Sequence, residues 1–321
     1  MTSALAPLSA RAILTGVSIV GPAEVAPGSI TQFTATGAFS DGSSGDVTAE
    51  VTWISVDSAM RHVGSGRFEA LRVGDSRVGG NFSGRSISKA VIVVPAGTFK
   101  LSGFIRDNTG AVSDADVEVV SGTGTGLRAK SAFNGAYALY GVEGQVQVRV
   151  SMPGYLTQEL SVTVSSHTAR DVSIVTDGET AIISGEWTLT VSTSGACSET
   201  WPADVRRREV GARITQQGTR LTINFLNVTN FVYETTGRIA GAAFSMTLYY
   251  DDYYLDWGLM QRVSPTDWVG VNGEFRGTVN GPSIQGTLTG IFHYYLTNAS
   301  AQGPGGNPRS CPADSTFAFR R

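Results

Sequence analysis

Residues 182–195 read IISGEWTLTVSTSG, and their period is two. Ile183, Trp187, Leu189 and Val191 fall on one side, and Ser184, Glu186, Thr188 and Thr190 on the other. That alternation belongs to a strand with one buried face and one wetted face. Residues 210–226, VGARITQQGTRLTINFL, repeat it as a hairpin about Gln216-Gln217-Gly218-Thr219, with Leu221, Ile223 and Phe225 sharing a face. Further strands are predicted at 238–250, 255–263, 268–278, 284–296 and 315–320, with turn signals at Thr236-Gly237 and Asn280-Gly281-Pro282. Antiparallel strands in such a run either form a sandwich or close into an up-and-down barrel. Closure removes the exposed edges, so 181–321 reads as an antiparallel β-barrel domain.

Working outward, the whole chain reads as all-β. Its 321 residues leave room for two or three domains. Charged residues make up only 16%, while glycine reaches 39, a mixture suited to many short strands and tight turns. No stretch of ten or more residues carries a helical period. A net charge of −3 gives no clustered basic face for nucleic acid. The one basic run, Arg206-Arg207-Arg208, reads as a solvated strand start. No segment approaches the ~20 apolar residues of a membrane helix, so no membrane insertion is expected.

The first module is placed at 12–95. Apolar alternation recurs at 30–39, 47–55, 76–82 and 86–94, between Gly, Asp and Ser turns. PGSITQFTATGAFSDGSSGDVTAEVTWISVD (27–57), GRFEALRVGDSRVGGNF (66–82) and SISKAVIVV (86–94) resemble the bacterial immunoglobulin-like group 2 family. The resemblance implies a β-sandwich with Trp53 as its buried tryptophan and Asp41-Gly42 in a hairpin turn.

The second module is placed at 98–176. FKLSGFIRDNTGAVSDADVEVV (99–120) pairs two strands across an Asp-Asn-Thr-Gly turn. SAFNGAYALYGVEGQVQVRVSMPGYLTQELSVTV (131–164) adds an Asn-Gly turn, a long alternating strand and a Pro-Gly-Tyr bend. This order resembles the carboxypeptidase regulatory-like, or transthyretin-like, domain family. That resemblance implies a seven-stranded sandwich that accompanies another activity and carries none itself. Related pilin domains form Lys–Asn isopeptide links. Lys100 lies on a first strand, but 169–175 offers no Asn near its end, so no such link is expected.

The third module shows a Gly185-Glu186-Trp187 opening and a final FAFRR (317–321). These resemble the Gly-x-Trp start and the late arginine of lipocalin-like barrels, which implies an arginine covering the tryptophan at a closed end. Short joins, Pro95-Ala96-Gly97 and 176–180, are too brief for flexible tethers. Three such domains end to end would make a semi-rigid rod roughly 100 Å long.

Chemistry is sparse. His62, His167 and His293 fall in different modules, far from any nucleophile pattern. His293 reads as a wall residue of the barrel, and His62 and His167 as exposed strand or turn positions. Clustered oxygens at 40–46 and 107–110 follow no calcium-loop pattern and read as Asx-turns. No catalytic residue, metal or cofactor is expected.

Two cysteines, Cys197 and Cys311, lack metal-ligand spacing. A disulfide between them would close a loop on the order of 100 residues and contribute roughly 4–5 kcal/mol. Two buried thiols are the other reading. YYDDYYLDW (249–257) offers Tyr249, Tyr250, Asp251, Asp252, Tyr253, Tyr254 and Trp257 as a partner- or sugar-contacting stretch, with Asp256 among them. Its plain alternative is a strand end and hairpin turn.

The expectation is therefore a non-enzymatic secreted or cell-surface modular protein, structural or adhesive, whose partners are proteins, copies of itself or carbohydrate. A secretory signal is expected to be missing from residues 1–16. Residues 1–11, preceding the first sandwich, are expected to serve as a strand exchanged between chains. A ligand-binding barrel lined by Trp187, Phe244, Phe275 and Phe292 is the competing expectation, and its discriminator is an open interior.

Overall fold

The computed structural model describes residues 12–193, 201–226, 234–248, 258–265, 267–296 and 309–321. The architecture is all-β, as alternation predicts, with one helical turn at Ala203–Arg206 and a 3₁₀ turn at Thr48–Glu50. No helix among the described residues is long and apolar enough to cross a membrane. The chain divides into two compact units. One holds the chain through Phe104 together with Asp116–Val150 and Glu159–Val172. The other holds Ile105–Ala115, Ser151–Gln158 and Ser173–Arg321.

In the first unit, the N-terminal sandwich buries Phe33, Met60, Phe68, Val78 and Val93 around Trp53. Phe68 meets both Phe33 and Trp53 edge-on at 5.8 Å. The indole N–H of Trp53 donates to the carbonyl of Thr48 at 3.0 Å, satisfying its polar handle inside the core. Two predicted strands change shape here. The 30–39 run breaks at Phe33, whose N–H leaves the ladder to donate to Gly66. Ile30–Gln32 therefore pairs with Arg67–Ala70, while Thr34–Phe39 pairs with Leu14–Val20 in another sheet. The 47–55 run yields only Thr52–Ser55 as strand. Asp46 accepts the amide of Thr48, and the Thr48 hydroxyl accepts the amide of Ala35, so side chains capture the backbone groups a strand would have used.

The same unit continues into the strand Phe99–Asp107 as far as Phe104, and this Phe99–Phe104 portion runs antiparallel to the start of the 16-residue strand Ala136–Ser151. Asp116–Thr123 pairs with Arg128–Lys130. Leu101, Val117, Val119, Leu139 and Val148 are buried between these strands.

In the second unit, Gly185–Ser192, Arg207–Gln217, Arg220–Leu226, Glu234–Ala240 and Ala243–Leu248 pair in succession. On the other side, Gly185–Ser192 pairs with Arg309–Arg320, then Ser283–Leu296, then Asp267–Asn280. Ala243 stands opposite Thr278 and Leu248 opposite Gly273, which closes an eight-stranded barrel. Leu259–Arg262 extends beside Asp267–Asn280 further along. Gln217–Arg220, Ala240–Ala243 and Asn280–Ser283 are tight two-residue turns at one end. The other end collects the longer connections.

Four barrel expectations need correction. The 238–250 run is two strands, joined by a turn at Gly241-Ala242, and Thr236-Gly237 lies inside a strand. A Cβ on Gly237 would come 2.7 Å from the carbonyl oxygen of Ser245, so this glycine serves close strand approach and not a turn. The last strand is longer than 315–320, beginning at Arg309. Between 258 and 263 only Leu259–Arg262 is strand, and 255–257 lie outside the described residues.

Candidate functional site

Inside the barrel, the side chains predicted to line a cavity fill it. Trp187, Phe244, Phe275 and Phe292 are 4%, 2%, 0% and 1% exposed, packed with Leu189, Ile223, Leu288 and Phe319. Phe317 contacts Phe244, Phe275 and Phe319 at 5.1–6.0 Å between ring centroids. A gap of about 20 Å³ bounded by Val191, Val210, Leu259 and Phe292 has room for roughly one water. A drug-sized ligand needs several hundred Å³.

The three histidines stand apart. His293 is buried in the wall, its Nδ1 2.8 Å from the hydroxyl of Ser310. His62 is half-buried and not exposed as expected, whereas His167 is exposed. His62 packs 5.2 Å from the Phe68 ring. His167 accepts the Lys100 amide on Nδ1 at 3.0 Å and lies 3.0 Å from Glu24 through Nε2, which fixes the Nε2–H tautomer. Two backbone and side-chain partners hold a ring that alternation alone leaves loose. Among the described residues, no group of three or more His, Cys, Asp or Glu side chains is arranged to hold a metal.

Of the residues singled out for binding, Tyr249, Tyr250, Asp251, Asp252, Tyr253, Tyr254 and Trp257 lie outside the described residues, as does Cys197. Cys311 lies on Arg309–Arg320 opposite Phe292 and packs against the barrel core. The Asx-turn reading of both oxygen clusters holds: Asp41 accepts from the Ser43 amide, and Asp107 from that of Thr109. The Arg206–Arg208 run is dispersed among different partners. Arg206 donates to the Trp201 carbonyl, Arg207 faces Glu209 in solvent, and Arg208 reaches Gln261.

Polar side chains instead gather in two networks. The first lies in the first unit. Lys100 Nζ meets Asp75 Oδ2 at 2.5 Å and faces the Tyr140 ring at 5.6 Å, and the Asp75 amide donates to the Tyr140 hydroxyl. Burial, followed by the nearby Asp75 carboxylate, pushes Tyr140 up to about 12. The second lies in the second unit around Asp107. Its Oδ2 accepts from the hydroxyls of Tyr155 at 2.7 Å and Thr219 at 2.6 Å and from Arg238 Nη1 at 2.7 Å. Its Oδ1 accepts from the amide and hydroxyl of Thr109. Arg238 also donates to the Ala111 carbonyl. The two charged side chains are 2% and 11% exposed, so this is a buried, hydrogen-bonded ion pair. Burial works to raise the Asp107 carboxyl, but hydrogen bonds from Thr219, Tyr155 and Thr109 outweigh it and hold the group below its ordinary range.

Sequence reading placed Asp107 and Tyr155 inside a family-like pattern and gave no role to Arg238 or Thr219. No local signal links residues more than one hundred positions apart.

Residues 100–177 match the family model of the carboxypeptidase regulatory-like domain. The match covers under half of the chain. No curated protein matches it. Among solved structures, the Bacillus anthracis TIE protein is 9% identical, with 96% of this chain and 73% of that one covered, at a TM-score of 0.22. A streptococcal ancillary pilin is 11% identical over 64% and 80%, at 0.20, and domains 4–9 of surface layer protein SbsC are 12% identical over 94% and 47%, at 0.20. TM-scores this low carry no inference about shared arrangement or role.

Proposed function

We propose that this chain is a non-enzymatic, structural or adhesive protein of the cell exterior, built from β domains. The observation that carries the reading is the filled barrel: among the described residues its interior is spent on packing, which leaves outer surfaces and connections as the means of contact. The matched domain type accompanies activities carried elsewhere, which agrees with a scaffolding part. In this reading the N-terminal module is a bacterial immunoglobulin-like sandwich at 12–95, followed by domains at 98–176 and 181–321. The barrel is lipocalin-like in its first and last strands only.

The contacts in this reading are made by the aromatic stretch Tyr249 to Trp257 toward a protein or sugar, and by residues 1–11 toward another copy through strand addition. A Cys197–Cys311 disulfide staples the barrel, and no free cysteine occurs among the described residues. Electron micrographs of the purified full chain test the assembly: filaments or ordered arrays that vanish on deleting residues 1–11 agree with it. A monodisperse monomer that neither assembles nor adheres to cells or glycans would refute it. Intact mass before and after reduction tests the staple, which predicts a gain of two hydrogens only after reductant.

A further inference from the structure

The tight-turn end of the barrel is not bare. Within the second unit, Thr219, in the turn after Arg207–Gln217, bonds to Asp107, and its hydroxyl lies 2.7 Å from that of Thr109. The bend Met152-Pro153-Gly154-Tyr155 packs on the next turn, where Gly154, at φ +80°, lies so close to Ala240 that a Cβ would collide with its carbonyl. Backbone bonds continue the contact: Asp177 donates to Gly154, and Ala181 donates to Gly241. Leu156 donates to Val175, and Tyr155 bridges Thr176. The short join between the matched domain and the barrel is therefore bonded on both sides.

Arg238 crosses the middle of this contact. It lies on Glu234–Ala240 next to the second turn, and its guanidinium bonds Thr219 on the barrel side and Asp107, Tyr155 and Ala111 from the 105–115 and 151–158 segments. A buried guanidinium is costly unless a charge meets it, and the charge this one meets is the Asp107 carboxylate.

We infer that the tight-turn end of the barrel is an intramolecular receptor for the 107–111 and 152–155 loops of the preceding domain, locked by the Asp107–Arg238 pair. Those loops and the barrel's tight-turn end then open and close as one cooperative element while the barrel wall stays closed, and the join at 176–180 is held only while the lock is made. This does not depend on what the protein adheres to.

The test is native-state hydrogen exchange on the full chain, read at the Ile239, Asp177 and Ala181 amides, which bond Thr219, Gly154 and Gly241. Asp107→Asn and Arg238→Met are each expected to speed exchange at all three sites ten-fold or more, while Leu189 in the barrel wall stays unchanged. Arg238→Lys, which keeps charge but loses reach, gives a smaller rise and guards against a variant that fails to fold. Because both residues act through one contact, the double variant should match the larger single effect instead of their product. Multiplying effects, unchanged exchange at Asp177 and Ala181, or equal acceleration at Leu189 would overturn the lock.

Discussion

The guanidinium of Arg321 lies over the indole of Trp187, its central carbon 4.8 Å from the ring centroid, while Nη2 donates to the Ser184 carbonyl at 2.8 Å. One arginine past the last strand thus covers the tryptophan of the first, at the join where the barrel meets itself. Trp187 keeps its own N–H satisfied by the Ile183 carbonyl at 2.8 Å.

Arg321→Ala should lower barrel stability by about 1 kcal/mol, the scale of an exposed cation–π contact. Trp187→Ala should cost about 3–5 kcal/mol, because it leaves a cavity among buried neighbours. Urea titration followed by tryptophan fluorescence for the first, and circular dichroism for both, measures the two losses. Equal losses would contradict a covering role for the arginine.

Acid should weaken the Asp107 network. Its folded carboxyl holds a proton less readily than the unfolded one, whose value is about 3.9. The stabilisation is therefore present above that value and is lost as pH falls through the folded one. The gap in urea midpoint between wild type and Asp107→Asn should be widest near neutrality and shrink below about pH 4. A gap that stays constant into strong acid would rule out the charged carboxylate as its source.

Alkali should act on buried tyrosines. Burial pushes Tyr137, Tyr140 and Tyr155 each up to about 12, with Asp171, Asp75 and the Asp107 bond adding to it. Tyr137 donates its hydroxyl to the Arg170 carbonyl at 2.6 Å. Their stabilisation is complete below the unfolded value of about 10 and fades as pH rises through about 12. Spectroscopic titration should show a late tyrosinate phase that moves to about 10 once urea unfolds the chain.

Gly154→Ala should destabilise by about 1–3 kcal/mol, since alanine resists φ +80° and its methyl meets the Ala240 carbonyl. Gly28→Ala supplies a comparison, because it shares a positive φ of +78° but has nothing within 4 Å. Thermal melts of the two variants separate backbone strain from collision: a larger loss at Gly154 is expected.

Period-two alternation made the barrel strands legible, because buried and wetted positions repeat locally along each one. Leu221, Ile223 and Phe225 point inward as their pattern predicts. Gly237 misled, because a glycine that admits a neighbouring strand looks identical in sequence to one that makes a turn. The break at Phe33 was also hidden, since its cause is a carbonyl at Gly66. The Asp107 network was invisible for a stronger reason: Arg238 reads as one more polar residue on a strand until folding brings the loops to it.

The barrel's two ends differ in a way that bears on its history. At one rim, the two-residue turns at Gly218 and Gly241 are pressed against neighbouring loops and leave no slack for insertion or deletion. The opposite rim carries the long connections, where sequence can drift or lengthen without disturbing the hydrogen-bonded wall. Related chains should therefore vary in length at one pole and hold constant at the other, which is fixed by fit.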